Sequence, residues 1–338
     1  MTNYLIVTAL LLVAELIYFR IADRFNIIDK PNERSSHSSI VLRGGGVIFS
    51  LSIVAWAVML AVQGDWQVVV DYLPFLCGLL LVAGVSFWDD VKSLPDSVRL
   101  VVQFVAMGLM FWSMGIMHWN MWWIVLLALI VCVGATNVIN FMDGINGITA
   151  GYALAVLVPL MLLNNELAFV ETSFLVVAII GVLVFCIFNF RPKGKAKCFA
   201  GDVGSIAIAF IMLFAIGRLV VMTKDVTYLI FLLVYGVDGC LTICHRILLH
   251  ENLGEAHRKH AYQLMANELK IGHVKVSSLY MAMQLVVSLG FIYLCPDSVA
   301  AHWGYLVGAT AVLAVAYVLF KKKYYHLHEE YLASLRKA

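Results

Sequence analysis

Apolar residues along this chain come in long blocks and not in stripes. Eleven blocks, at approximately 3–19, 45–63, 68–88, 99–117, 120–136, 148–164, 170–189, 204–223, 226–245, 274–295 and 301–320, each match the length of a membrane-crossing helix, which takes roughly 17–25 residues. Connectors such as 64–67 and 118–119 are short enough that ten or twelve spans fit the same pattern. The pattern predicts an all-α polytopic membrane protein forming one domain over 1–338, with no internal repeat, low-complexity tract or linker. The first block has no basic residue ahead of it and no small-residue cleavage site, so it reads as an anchor and not as a cleaved signal.

Composition sharpens this reading. At 62% hydrophobic and 13% charged residues the chain is far too apolar for a soluble domain, where charged residues run at about 25%. Seven scattered cysteines without a CxxC pair read as small core residues, not as a disulfide framework or zinc site. The net charge of +2 says little, but its distribution says much. Of the 23 Lys and Arg, only Arg218 and Lys224 fall outside the loops 20–44, 89–99, 191–203 and 246–275 and the C-terminal tail. Basic loops stay on the cytoplasmic side, which predicts an outside N-terminus, a cytoplasmic C-terminus and all polar motifs on one face.

The most informative polar stretch is Asn137-Val-Ile-Asn-Phe-Met-Asp-Gly-Ile-Asn-Gly147, between two apolar blocks. If helical, it sets Asn137, Asn140 and Asp143 roughly along one face, with a break at Asp143-Gly or Gly147. Amides and a carboxylate at the end of an apolar helix are costly in a bilayer, so they read as facing a polar site; the competing reading is an interfacial helix cap. Four further motifs lie on the same side. Asp29-Lys-Pro-Asn-Glu-Arg-Ser-Ser-His37 and Arg43-Gly-Gly-Gly46 form the first basic loop. Triple glycine leaves backbone N–H groups free for an anion, with Arg34, His37 and Arg43 as positive charges, although a plain glycine-rich turn fits too. No Gly-Lys-Ser/Thr follows, so this is not a Walker A loop.

Trp88-Asp89-Asp90-Val-Lys92 ends the third block with adjacent carboxylates, suited to Mg²⁺ or to a base on a phosphate or hydroxyl, or merely to an acidic turn. Arg191-Pro-Lys-Gly-Lys-Ala-Lys197 leads into Phe199-Ala-Gly-Asp202-Val-Gly-Ser205, an acid between glycines at a helix start. Helix capping by Asp202 or Ser205 explains one residue and leaves the glycines and lysines idle. His257-Arg-Lys-His260 is a basic cluster suited to phosphate or sugar hydroxyls, lacking the ligands of a zinc site. His245 and His250 read as structural, while Asp238 pairs with Arg218 or reaches the polar face.

Taken in order, Asp89-Asp90, Asn137-x-x-Asn140-x-x-Asp143-Gly-x-x-Gly147, Phe199-x-Gly-Asp202-x-Gly-Ser205 and His257-x-x-His260 resemble the polyprenyl-phosphate N-acetylhexosaminyl phosphate transferases. This is glycosyltransferase family 4, the superfamily that includes phospho-MurNAc-pentapeptide translocase. The resemblance runs from the Arg43 loop to His260. It implies transfer of a sugar phosphate from a UDP-N-acetylhexosamine to polyprenyl (undecaprenyl) phosphate in the bacterial cytoplasmic membrane, with UMP released. It implies Mg²⁺, with Mn²⁺ as an alternative. Asp202 and Asp89 would then be the metal ligands, Asp89 also the candidate base, and Asp90 and Asp143 supporting ligands or orienters. Asn137, Asn140, His257, Arg258 and His260 would contact the nucleotide sugar, with Arg43 and Lys92 on the phosphorylated substrates. The bilayer is the other partner; nothing points to nucleic acid, and a homodimer is allowed.

Two departures matter. Some relatives carry a third acid three residues after the Asp pair, where this chain has Ser93. The translocase branch has consecutive histidines where this chain has His-Arg-Lys-His, which favours the branch initiating O-antigen or similar surface polysaccharides, with UDP-GlcNAc and a UDP-FucNAc-like sugar both open as donors. The alternative class is a secondary transporter, which accounts for the spans, Asp238 and Arg218 but predicts repeats and midplane charges. An intramembrane aspartyl protease lacks a reason for the lysine-rich approach, and a CDP-alcohol phosphatidyltransferase needs a denser Asp array.

Overall fold

The computed structural model describes residues 2–29, 41–117, 119–254 and 257–335. Arg34 and His37, read above as anion-binding candidates, lie outside the described residues. The fold is a helical bundle: α1 (Thr2–Arg24), α2 (Val47–Gln63), α3 (Trp66–Asp71), α4 (Leu73–Val91), α5 (Asp96–Ser113), α6 (Trp122–Phe141), α7 (Ile148–Leu167), α8 (Thr172–Asn189), α9 (Gly201–Thr223), α10 (Leu233–Leu248), α11 (Ala261–Asn267), α12 (His273–Leu294) and α13 (Val299–Leu335). The exception to the all-α reading is a two-residue antiparallel pair, Ile28–Asp29 with Val41–Leu42, extended by a bridge from Leu42 to Cys198.

Among the described residues nine helical segments are long and apolar enough to cross a membrane, against the eleven blocks read from sequence. The two that fall short occupy the blocks at 45–63 and 99–117. Helix α2 has 17 residues, and α5 opens with Asp96 and Arg99, which reduce its apolarity. Three boundaries also move. The block at 68–88 divides into α3 and α4, with Pro74 in the first turn of α4, where a missing N–H costs nothing. The block at 226–245 opens as a 3-10 stretch, Val226–Leu232. The C-terminal tail is no tail: α13 has 37 residues, about 55 Å at 1.5 Å per residue, against a hydrocarbon core of about 30 Å.

Helix α9 is apolar all round and lies at the centre, buried almost continuously from Val203 to Ile216 and packed by α4, α6, α2 and α7. Beside it, Phe75 stacks on Phe214 at 4.0 Å between centroids, with Tyr72 and Phe174 edge-on to Phe214 and Trp56 edge-on to those two. Helices α1, α6 and α13 instead leave rows of large apolar side chains exposed, as lipid-facing helices do. Lipid tails are as apolar as leucine, so association rests on close packing, and small residues mark the tight crossings. Gly46 meets Gly204 so closely that a Cβ on Gly46 would lie 2.3 Å from the Gly204 Cα, and a Cβ on Gly181 would lie 2.7 Å from the Ser52 side chain.

Gly46→Ala is therefore expected to lower the thermal midpoint in detergent markedly, because the obstructing atom is backbone; overpacking of this kind costs about 1–3 kcal/mol. Gly84→Ala, where an added Cβ meets nothing within 4 Å, is expected to leave it unchanged or slightly raised. Equal midpoints for the two variants would contradict the α2–α9 crossing.

Candidate active site

The polar end of the bundle is built on Asp90. Its carboxylate, with no exposed side-chain surface, accepts the backbone N–H of Asp202 (2.9 Å) and of Val203 (2.9 Å) at the start of α9, and pairs with Arg43 Nε at 2.6 Å. The helix N-terminus thus has its anion from within the chain. Gly201 makes the approach feasible: its φ is +70°, and a Cβ there would lie 2.6 Å from Asp90 Oδ2. Of the two readings of the glycine loop, the packed turn holds for Gly45 and Gly46. The N–H groups of Gly45 and Gly46 donate to the carbonyls of Phe199 (2.9 Å) and Ala200 (3.0 Å), so these two amides serve packing against the Asp202 loop and not an anion. Arg43 is the residue the loop delivers to the site, its own carbonyl accepting from Tyr18 Oη at 2.6 Å.

Asp202 is the acid of this cluster that reaches the cavity, with Arg43 Nη2 at 3.7 Å. Behind it lies Asp89, within hydrogen-bonding reach of Asp202, accepting the Leu94 N–H at 2.6 Å and paired with Arg99 Nη1 at 3.1 Å. Two carboxylates in contact require a proton or cation between them. Asn137 donates to Gln103 Oε1 at 2.7 Å, and Asn140 Oδ1 accepts from Ser205 Oγ at 2.6 Å, so both amides are held in orientation from neighbouring helices. Asp143 leaves the face predicted for it. Helix α6 stops at Phe141, and Asp143 turns inward to accept from Thr149 Oγ1 at 2.5 Å. Burial pushes its carboxyl up to about 6, opposed by the Thr149 bond and aided by the Asp90 charge.

The histidine loop reaches the same cavity from the other side. His257 is half-buried, and burial together with His260 and nearby cations pushes its imidazole down to about 3, so it is neutral. His260 is buried, its Nδ1 lying 3.2 Å from Asp238 Oδ1. Asp238 therefore pairs with His260 and not with Arg218, whose Nε donates to the Phe169 carbonyl at 3.3 Å. Two further sequence candidates stand apart from both the acid cluster and the cavity. Arg258 pairs with Glu268 at 3.1 Å and lies 4.3 Å over the Tyr331 ring, tying the loop to α13. Lys92 is the exposed C-cap residue of α4.

The cavity has a volume of about 700 Å³. Its lining combines polar groups, Asp202, Asn137, Asn140, His257 and His260, with apolar side chains of α5 and α6, Leu100, Phe104, Ile130 and Val133. Two cations on its wall, Arg99 and Arg246, counted in the sequence only toward orientation. Arg246 is buried, held by Glu251 and the carbonyls of Asn252 and Leu253. For Arg99 there was a signal: Arg99 and Gln103, four apart in an apolar block, mark one polar face of α5.

The family model for glycosyl transferase family 4 matches residues 72–222, which carry the Asp89, Asn137 and Asp202 motifs. A probable undecaprenyl-phosphate N-acetylglucosaminyl 1-phosphate transferase of Bacillus subtilis (strain 168) is 25% identical over 81% of this chain and 77% of its own length. The phospho-N-acetylmuramoyl-pentapeptide-transferases of Thermotoga neapolitana and Thermotoga maritima are 36% and 32% identical over 37% and 36% of this chain, matching 39% and 37% of theirs. In the order of its motifs, in the site they build and in these relatives, the chain is similar to glycosyl transferase family 4.

Proposed function

We propose that this protein transfers the sugar 1-phosphate of a UDP-N-acetylhexosamine to polyprenyl phosphate, releasing UMP and leaving a polyprenyl-diphospho-sugar. The observation that carries the reading is the mixed lining of one cavity, in which acids, amides and histidines stand together with apolar side chains of α5 and α6. A nucleotide sugar and a lipid phosphate are the pair of substrates that need both. The name of the Bacillus subtilis relative supports an N-acetylglucosaminyl donor, and His257-Arg-Lys-His260 in place of consecutive histidines supports the O-antigen-type branch over the pentapeptide one. Basic loops gathered at one side support a site on the cytoplasmic face.

Among the described residues no three His, Cys, Asp or Glu side chains cage a metal. Asp89 and Asp202 instead offer a pair of carboxylates, the donor set that Mg²⁺ uses when phosphates and water complete its shell. These two residues would hold Mg²⁺ (or Mn²⁺), and the ion would supply charge neutralisation between two anionic substrates. The chain's own groups do the rest. Arg43, Arg99 and Arg246 add positive charge around the phosphates, and the fixed amides of Asn137 and Asn140 orient the donor. A lipid phosphate oxygen attacks the sugar-bearing phosphorus, the bond from that phosphorus to the UMP oxygen breaks, and UMP departs. A phosphomonoester with a second pKa of about 6 needs little deprotonation at neutral pH, so Asp89, fixed by Leu94 and Arg99, orients more than it abstracts.

The direct test incubates the purified protein with polyprenyl phosphate, Mg²⁺ and a panel of UDP-HexNAc donors while following UMP and lipid-linked sugar phosphate. At least one donor is expected to yield both in equal amounts; UMP without lipid product, or neither from any donor, refutes the transfer. Asp202→Asn is expected to lower kcat by at least about a hundredfold, as loss of electrostatic stabilisation does, with UDP-sugar binding in the absence of Mg²⁺ within about twofold. Near-normal turnover would reassign Asp202 to helix capping, where Asn serves well.

Asp143 gives a pH prediction. Its folded value of about 6 is above the ordinary 3.8, so the folded chain holds a proton that the unfolded chain has released. Stability from this group is full below the ordinary carboxylate range and is lost as pH rises through the folded value. The thermal midpoint of the wild type, without divalent cation, is expected to fall relative to that of Asp143→Asn between about pH 4 and about pH 6.5 and to level off above that. Parallel curves would contradict the buried carboxyl.

A further inference from the structure

Asp238 lies inside an apolar helix, α10, and the transfer chemistry above makes no use of it. It is nevertheless among the most fully satisfied acids in the protein. Oδ1 accepts from the Ala261 N–H at 3.1 Å and from Thr242 Oγ1 at 3.1 Å, and Oδ2 accepts from Tyr280 Oη at 2.6 Å. The fourth contact is Nδ1 of His260, at 3.2 Å from Oδ1. Donors converging from α10, α11 and α12 leave this carboxylate acting as an acceptor, and an acceptor opposite Nδ1 requires the proton to be on Nδ1. The other nitrogen, Nε2, is buried and has no hydrogen-bond partner among the described residues; His260 is 2% exposed and lines the cavity. A buried ring nitrogen without a partner, on a side chain that lines the cavity, is the feature a ligand would complete.

We propose that Asp238 is a positioning residue for donor specificity: it fixes His260 in the Nδ1–H form, so that Nε2 presents a lone pair to a hydroxyl or acetamido N–H of the donor's sugar. The inference rests on the transferase reading for the identity of the ligand, but not for the state of the imidazole. A lone pair repels phosphate oxygens, which have Arg43, Arg99 and Arg246 to meet them, so Nε2 takes a hydrogen-bond donor. Of the donors on a UDP-N-acetylhexosamine, those on the sugar are what differ between one substrate and the next. A site that must pair a buried acceptor discriminates strongly against analogues lacking the matching donor. Tyr280 acts one step further out, holding the second oxygen of Asp238 so that the carboxylate cannot rotate away from the ring.

Two measurements decide the matter. Nitrogen-15 NMR of histidine-labelled protein, with His260 assigned by its loss in His260→Ala, is expected to show Nδ1 protonated and Nε2 unprotonated without any ligand, and mixed forms in Asp238→Asn. An Nε2–H form in the wild type overturns the proposal whatever the enzyme does. The second measurement is a double-mutant cycle. Asp238→Asn is expected to raise KM for the UDP-sugar about tenfold, worth roughly 1.4 kcal/mol, with KM for polyprenyl phosphate and the inhibition constant of UMP unchanged. In a His260→Ala background the same substitution is expected to change nothing further. Equal losses in both backgrounds would make Asp238 merely structural, and an equal rise in the UMP constant would move the contact to the nucleotide; either overturns the assignment. Should Asp238→Asn not accumulate, Tyr280→Phe is expected to give a weaker loss that also vanishes without His260, and a loss that persists counts against it. If the wild type transfers no sugar phosphate while its imidazole is in the Nδ1–H form and shifts in Asp238→Asn, the transferase reading fails and the positioning stands.

Discussion

The carboxylate of Asp90 stands between three segments that the chain delivers separately: the end of α4, the glycine loop carrying Arg43, and the first turn of α9. An ionised group without exposed surface is tolerable only when paired and hydrogen-bonded, and removal of one partner of such a pair costs about 3–5 kcal/mol. The constraint runs outward from there. Because Asp90 occupies the α9 amides, Asp202 is left to face the cavity, and because Arg43 Nε is on Asp90, its Nη2 is placed near Asp202. Gly201 is fixed as glycine by the same contact, and Gly46 and Gly204 by the helix crossing beside it. The polar end is thus one structure, in which the acids, the arginines and the backbone of α9 set one another's positions.

The apolar body beneath shows the same economy with polar groups. Gln284 accepts from Tyr152 Oη and the Val234 N–H, and donates to the Ile230 carbonyl and Ser288. Asn164 closes the turn between α7 and α8 through both its donor and its acceptor on Val170. Asn189 accepts the Gly147 N–H and donates to the Cys198 carbonyl, while Asn146 donates to the carbonyls of Arg191 and Pro192. Each bond contributes only about 0.6 kcal/mol on average in a membrane protein, whereas an unpaired group costs several. Their main effect is therefore to fix which loops meet. Gly147 belongs to the connection after the Asn137 motif, and Arg191 and Cys198 to the one that carries the lysine-rich and Asp202 motifs; these amides hold the two connections at one end of the bundle.

Much of this was legible in the sequence because bilayers impose long apolar blocks, and because acids and amides at their ends are too costly to be incidental. The Asp89, Asn137, Asp202 and His260 motifs announce themselves in that way, and the structure brings residues of all four together. The errors have physical causes as well. The triple glycine left an anion loop and a plain glycine-rich turn both open, because the partners of the Gly45 and Gly46 N–H groups, Phe199 and Ala200, are over 150 residues away. Asp143 read as one face with Asn137 and Asn140, but a helix end at Phe141 cannot be fixed from spacing alone. Arg258 and Lys92 carried the right charge in the right loops and point elsewhere, one held by Glu268 and Tyr331. Asp238 was visible as an expensive acid, yet its partner His260 lies 22 positions on and is supplied only by tertiary packing.

The central claim is that one cavity joins the acid and histidine cluster to a groove open to lipid, and that a polyprenyl chain lies in that groove. Site-specific photo-crosslinking tests it most directly. A photoreactive residue is placed in turn at Phe104 and Ile130, on the groove wall, and at Val58, an exposed apolar position on α2 remote from it. The account predicts that labelled polyprenyl phosphate crosslinks at Phe104 and Ile130, is displaced by excess unlabelled polyprenyl phosphate, and fails to crosslink above background at Val58. Uniform labelling at all three positions, or displaceable labelling at Val58 alone, would contradict it.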